Sequence, residues 1–284
     1  MENQYFLAER AAKLRYLLVK ALHCAGSGHP GGSLSCADIV TYLYFDRMNV
    51  SPEKAKDPDR DRFVLSKGHA CPALYSALAM RGYFPEEDLW ELRKSSSVLQ
   101  GHPDMVRIAG VDMTTGSLGQ GVSAACGIAL AGKADGKDYK VYTILGDGEI
   151  QEGQVWEAAM FAAHYKLDNL VAFVDYNGLQ IDGDVHKVMN PTPIDKKFEA
   201  FGWHVQVIDG HDFAAIDAAV KNTDAVEGRP SVIVCRTVKG KGVSFMENNA
   251  GWHGKAPNDE QYAIAEAELA AAYDKAVKEA ADNE

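Results

Sequence analysis

Two apolar runs, Val141–Leu145 and Leu170–Val174, flank a segment of helical character and limit what this chain can fold into more than any other feature. Strand, helix and strand in that order make one crossover unit. Such crossovers are right-handed, so the two strands run parallel and end at the same edge of a sheet. The first run ends in Gly146-Asp147-Gly148-Glu149 and the second in Asp175-Tyr176-Asn177, with Asn177 following Asp147 by 30 residues. Ligands of open α/β sheets bind at that carboxyl edge. A carboxylate and an amide oxygen there suit a hard cation, and Mg²⁺ takes few protein ligands together with phosphate oxygens. Gly-Asp-Gly alone is a turn sequence. The paired Asn177, followed by the turn-forming Gly178–Gly183, marks a metal–diphosphate site instead.

The same alternation continues on both sides. Leu7, Ala11, Leu14, Leu18 and Leu22 recur at helical spacing and predict a helix over 5–25. Residues 26–32 read as a loop that cannot be helical, and Ser35–Tyr44 as a second helix. Strands are expected at 62–66, 205–208 and 232–235. Helices are expected at 73–81, from Pro85 onward, up to Lys133, at 195–201, 213–221 and 259–281. The Ala- and Gly-rich helix before Lys133 implies close backbone packing, in the interior or at a subunit contact, the interior being preferred. Strands alternating with helices predict an α/β fold: a doubly wound, mainly parallel sheet with helices on both faces. We see no linker or repeat, so residues 1–284 read as one domain closed by a C-terminal helix in 259–284.

A formal net charge of −11 disfavours nucleic acid or an anionic membrane as partner, so an anionic ligand needs local devices. No apolar run is long enough to span a membrane. The five cysteines include no C-x-x-C pair and lie in apolar stretches, which predicts buried free thiols and a reducing, cytoplasmic setting.

Four of the nine histidines share one context: His29, His69, His102 and His253 are each bounded by glycine in an expected loop. Loops on a rigid sheet edge concentrate binding groups. Imidazole can hydrogen-bond hydroxyls, shuttle protons or contact phosphate. The four are far apart in sequence and none is paired at helical spacing, which disfavours zinc. His23, His164, His186, His204 and His211 lack this context and read as structural.

Taken together, these motifs resemble the transketolase family. The resemblance rests on Ser27-Gly28-His29-Pro30-Gly31, Ser66-Lys67-Gly68-His69-Ala70, Gly101-His102-Pro103, Thr115–Gly121 and Gly146–Gly153, in the family's order, and covers residues 27–254. It implies the diphosphate-binding domain of the thiamine-diphosphate fold. It implies Mg²⁺, or Ca²⁺ or Mn²⁺ in its place, on Asp147, Asn177 and the Leu179 carbonyl. Thiamine diphosphate would be held by His69, Gly116, Leu118, Gly148, Glu149, Asn177, Ile181 and His253. Catalytic roles would fall to His29, His69, His102, His253 and Glu152, the last, with Glu157, beside a dimer interface. The implied reaction moves a two-carbon ketol unit between sugar phosphates. The family's pyrimidine-binding and C-terminal domains, with the catalytic glutamate and phosphate-binding arginines, lie outside this chain. The expected partner is therefore a separate C-terminal subunit, joined to a dimer of this chain as a heterotetramer. The ends of the chain favour a split gene. Ser117, in Gly-Ser-Leu-Gly-Gln-Gly, is also similar to 1-deoxyxylulose-5-phosphate synthase, which is the nearest alternative. Other sugar ketolases of split type follow, and then a non-catalytic binding subunit.

Overall fold

The computed structural model describes residues 2–283. Five parallel strands form the central sheet in the order β1 (Arg62–Leu65), β2 (Val141–Gly146), β3 (Leu170–Tyr176), β7 (Ser231–Arg236) and β6 (His204–Asp209). A two-stranded antiparallel hairpin, β4 (Leu179–Gln180) and β5 (Gly183–Asp184), follows β3. Strand residues alternate between two cores, as the period of two requires. On β2 and β3, Tyr142, Ile144, Val171 and Phe173 enter one core, and Val141, Leu145, Leu170, Ala172 and Val174 enter the other.

The first core is covered by α1 (Glu2–Ala25), α2 (Pro30–Ser35), α3 (Ala37–Tyr42), α4 (Cys71–Met80), α9 (Phe213–Asp224) and α10 (Asp259–Ala281). The second is covered by α5 (Gln120–Ala134), α6 (Gly153–His164) and α8 (Ile194–Ala200), while the short α7 (Val185–Val188) follows β5. The chain steps from β1 to β2, β3 and then β6 in one direction, which places the crossover helices α5, α6 and α8 on one face. The return step from β6 to β7 reverses direction and puts α9 on the other face. Right-handed crossovers leave no other choice. The doubly wound expectation describes this sheet. Among the described residues no helix is long and apolar enough to cross a membrane.

Four local expectations are corrected. The 26–32 segment is helical from Pro30, and Gly31 and Gly32 lie inside α2. Proline is pre-set for the first helical position. Glycine is required there because a Cβ at Gly31 would lie 2.9 Å from the Trp252 carbonyl oxygen. The helix expected from Ser35 to Tyr44 is interrupted: α2 ends at Ser35, α3 starts at Ala37, and a π-helical turn spans Leu43–Arg47. The segment after Pro85 is a 3₁₀ turn, Glu86–Glu91. Cys24 is exposed at the outward side of α1, whereas Cys36, Cys71, Cys126 and Cys235 are buried free thiols. The small-residue helix α5 divides its faces, with Gly121, Val122, Ala125, Cys126, Ala129 and Gly132 buried and Gly127 and Ala131 exposed.

Candidate active site

At the carboxyl edge, β2 and β3 are in register with Gly146 opposite Asp175, so Asp147 and Asn177 arrive side by side. Asp147 is 2% exposed; its carboxylate accepts from the Gly148 N–H at 2.8 Å and the Gly178 N–H at 2.6 Å. The Asn177 Oδ1 accepts from the Leu179 N–H at 3.1 Å, which turns the chain into the hairpin. The Leu179 carbonyl faces inward, where the Lys239 Nζ donates to it at 3.0 Å. Asp147, Asn177 and Leu179 all line one cleft of about 200 Å³.

Three of the four glycine-bounded histidines form one cluster, in which His69 and His253 line this cleft and His29 packs against them. The ring centroids of His29 and His69 are 5.2 Å apart, those of His69 and His253 5.1 Å, and those of His29 and His253 5.7 Å. They come from the N-cap of α2, a 3₁₀ turn after β1 and the end of the 3₁₀ turn Ala250–Trp252. The His29 Nδ1 is buried with no hydrogen-bond partner, as expected of an atom kept for a ligand. His102 stands beside them on the 99–119 loop, against Gly116, whose φ is +157°. A Cβ at Gly116 would lie 3.0 Å from the His102 ring, so the loop and the histidine need glycine to approach this closely.

Burial sets the charge of these groups. It pushes the His29 imidazolium down to about 4, helped by Arg93 and His102, and His253 down to about 3, helped by Lys239. His69 is lowered well below its ordinary value by burial and by Lys67, and His102 is lowered by burial and by Arg93. At neutral pH the cluster is uncharged, so it offers N–H donors and lone-pair acceptors rather than positive charge. Asp147 is raised to about 7 by burial and by the nearby Asp175 carboxylate. Lys239 is lowered to about 8 by burial, which outweighs its attraction to Asp147. A divalent cation reverses this balance at Asp147.

The remaining expected residues occupy defined places. Gly148 lines the cleft beside Gln180, and Leu118 lines its wall. Ile181 lies at the mouth and is 64% exposed. Glu149 also borders the cleft, but its carboxylate is engaged by the Ser66 hydroxyl and by the Gly119 and Gly146 N–H groups at 3.0 Å each. It joins the 115–119 loop to the β2 exit. Glu152 is exposed at the N-cap of α6, on the rim, and Glu157 is exposed on α6.

Sequence reasoning missed two lysines. Lys67 and Lys239 both line the cleft and are 2% and 1% exposed. The Lys239 Nζ lies 3.0 Å from the His253 Nδ1 and ties the glycine-rich exit of β7 to the histidine cluster. Their signal was present: each follows a strand at the carboxyl edge, in Ser-Lys-Gly-His and Val-Lys-Gly-Lys.

Among the described residues no three His, Cys, Asp or Glu side chains form a metal cage. A cation here must take one carboxylate and neutral oxygens, and the donor set of Asp147, Asn177 and the Leu179 carbonyl fits Mg²⁺ completed by phosphate oxygens.

Comparisons with known proteins place the chain in a family. Residues 8–282 match the family described as transketolase, thiamine diphosphate binding domain. The chain is 48% identical over 268 residues to the 6-deoxy-6-sulfo-D-fructose transketolase subunit SqwG of Clostridium sp. (strain MSTE9), covering 94% of this chain and 98% of that one. It is 43% identical over 270 residues to an apulose-4-phosphate transketolase subunit of Phocaeicola vulgatus, covering 95% and 96%. The transketolase structure from Campylobacter jejuni superposes with a TM-score of 0.87 at 34% identity, covering 98% of this chain but 47% of that one. The chain thus spans about half the length of the solved transketolases and almost the whole of the two subunits. It belongs to the transketolase family and carries that family's thiamine-diphosphate-binding domain.

Proposed function

We propose that this chain is the N-terminal subunit of a split transketolase, which transfers a two-carbon ketol unit from a ketose phosphate to an aldose acceptor. The observation that carries the reading is the convergence of the Asp147, Asn177 and Leu179 oxygens with His69 and His253 in one cleft, with His29 packed against those two rings. Thiamine diphosphate, when bound, supplies the electron sink for cleaving and forming the carbon–carbon bond beside a ketose carbonyl.

The protein's own residues bind, orient and move protons. Asp147, Asn177 and the Leu179 carbonyl would hold Mg²⁺, with Ca²⁺ or Mn²⁺ able to replace it. His69, His253 and the Gly148 backbone would contact diphosphate oxygens, with Lys239 as the cation among them. Gly116, Leu118 and Ile181 would face the rings of the cofactor. Neutral His29, His102 and His253 are suited to hydrogen-bond sugar hydroxyls and to pass a proton at the reacting oxygen. Glu152 and the half-exposed apolar face of α6, with Met160 59% and Phe161 36% exposed, would meet a second copy of the chain.

The two relatives that match end to end are named as subunits for 6-deoxy-6-sulfo-D-fructose and apulose 4-phosphate. By extension, the donor here is a ketose with an anionic terminal group, and the partner is a subunit carrying the pyrimidine-binding and C-terminal domains. The assembly would be a heterotetramer acting in the cytoplasm on sugar phosphates. In the decisive experiment the chain is co-expressed with a C-terminal subunit, and ketol transfer is assayed with thiamine diphosphate and Mg²⁺. Activity is expected only with both chains. Full activity of this chain alone would overturn the split assignment, and failure of the pair to bind thiamine diphosphate would overturn the site.

A further inference from the structure

Beneath the cleft lies a charged cluster to which the ligand-holding roles above give no task. Asp175 is fully buried on β3, two residues before Asn177, which follows the end of the strand. Its Oδ2 accepts from the Lys67 Nζ at 2.5 Å, from the Ser35 hydroxyl at 2.5 Å and from the Asn177 Nδ2 at 3.3 Å. Its Oδ1 accepts from the Thr237 hydroxyl. The Lys67 Nζ donates a second bond, at 2.6 Å, to the Gly32 carbonyl inside α2. The Asn177 Nδ2 also reaches the Ser35 hydroxyl at 3.4 Å.

An amide has one donor end and one acceptor end, and a carboxylate accepts only. The Asp175 charge therefore selects the rotamer of Asn177 with its NH₂ toward Asp175, leaving Oδ1 at the other end, where it accepts from the Leu179 N–H. Ser35 and Gly32 belong to α2, whose N-cap is His29, so the same pair pins the histidine segment to the strand that leads into Asn177. A buried ion pair is a poor source of net stability, because desolvation offsets most of the attraction. A task in orientation accounts for its presence better than stability does.

We propose that Asp175 and Lys67 are positioning residues: they set the Asn177 amide for a divalent cation and hold α2, with His29, in register with it. This inference rests on the metal reading given above. It is tested on the full chain by titrating Mn²⁺ in the presence of thiamine diphosphate, with bound Mn²⁺ read by electron paramagnetic resonance. Melting temperature is measured in parallel without ligands. For Asp175→Asn we expect Mn²⁺ affinity to fall about 10- to 100-fold, the range for loss of a group that orients a metal ligand. Arg60→Gln is the control, since Arg60 pairs with Asp112 beside the amino end of β1, at the opposite edge from the cleft. It should lower the melting temperature and leave Mn²⁺ affinity unchanged. If Asp175→Asn does not fold, Ser35→Ala removes the hydroxyl shared by Asp175 and Asn177 and should weaken Mn²⁺ several-fold. Wild-type affinity in Asp175→Asn, or in Ser35→Ala where that variant takes its place, overturns the inference. A loss in Arg60→Gln that tracks its melting temperature also overturns it. Failure of the unmodified chain to bind Mn²⁺ would overturn the metal reading, and this inference with it.

Discussion

Replacing Asp147 with asparagine should make the ligand-free chain more stable while it destroys the site. Asp147 is buried beside Asp175, and its carboxyl is raised from 3.8 to about 7. For an acid raised on folding, the cost of ionisation begins as pH climbs past the unfolded value near 3.8 and is complete above about 7. At 1.36 kcal/mol per pH unit, that cost approaches roughly 4 kcal/mol. Asparagine removes the charge but also one acceptor from the pair of N–H groups of Gly148 and Gly178, a loss of about 1–3 kcal/mol. A net gain on the order of 2 kcal/mol corresponds to a rise of roughly 4 °C or more in melting temperature at pH 8. The gain should shrink toward pH 4. Calorimetry of both proteins without metal or cofactor between pH 4 and 8 reads this directly, and isothermal titration with thiamine diphosphate and Mg²⁺ should show binding by the wild type only. A variant that is less stable than wild type by the same margin at every pH would refute the premise of a costly buried charge. Intact Mg²⁺-dependent binding by the variant would refute the metal assignment.

Other outcomes are equally definite. His102→Ala, on an exposed loop and unlinked to the metal oxygens, should leave thiamine diphosphate affinity within about twofold and cut turnover of the assembled enzyme by about 10²-fold or more; loss of cofactor binding would misplace His102. Asp38 is held near 2 against its burial by Arg15 and His211, so its contribution is present above its unfolded value near 3.8 and is lost as pH falls toward 2. Asp38→Asn should cost about 3 kcal/mol in urea unfolding at pH 7, because it strands Arg15 in the interior; a cost below about 1 kcal/mol at that pH would contradict the pairing. Gly121→Ala should destabilise by about 1–3 kcal/mol, since the added Cβ would lie 2.6 Å from the Ser66 Cα at the start of α5; an unchanged melting temperature would show that the helix can shift. Met160→Asp with Phe161→Glu should shift sedimentation toward the monomer with little change in melting temperature, and an unaltered sedimentation coefficient would rule out the α6 face as the self-contact.

The sequence by itself determined the architecture and the arrival of Asp147 and Asn177 at one sheet edge, because both depend on local periodicity. Strands of alternating burial joined by helices can form only a doubly wound sheet, and right-handed crossovers then bring Asp147 and Asn177 to the same edge. Glycine-bounded histidines were legible as a set because loops at such an edge carry binding groups. Only the tertiary structure decided which of them meet: His29, His69 and His253 share one cluster, with His102 beside it against Gly116. It also turned Pro30–Ser35 into a helix, since the close approach of Trp252 to Gly31 overrides the low helical propensity of paired glycines. The sequence puts Lys67 and Lys239 just after strands at the carboxyl edge but says nothing of what they, or Asp175, contact. Their roles come from burial and from partners distant in the sequence, as in the Lys67 contacts with Gly32 and Asp175, 35 and 108 residues away. Electrostatics of that kind depends on distance in space and on exclusion of water, and no spacing along the chain encodes either.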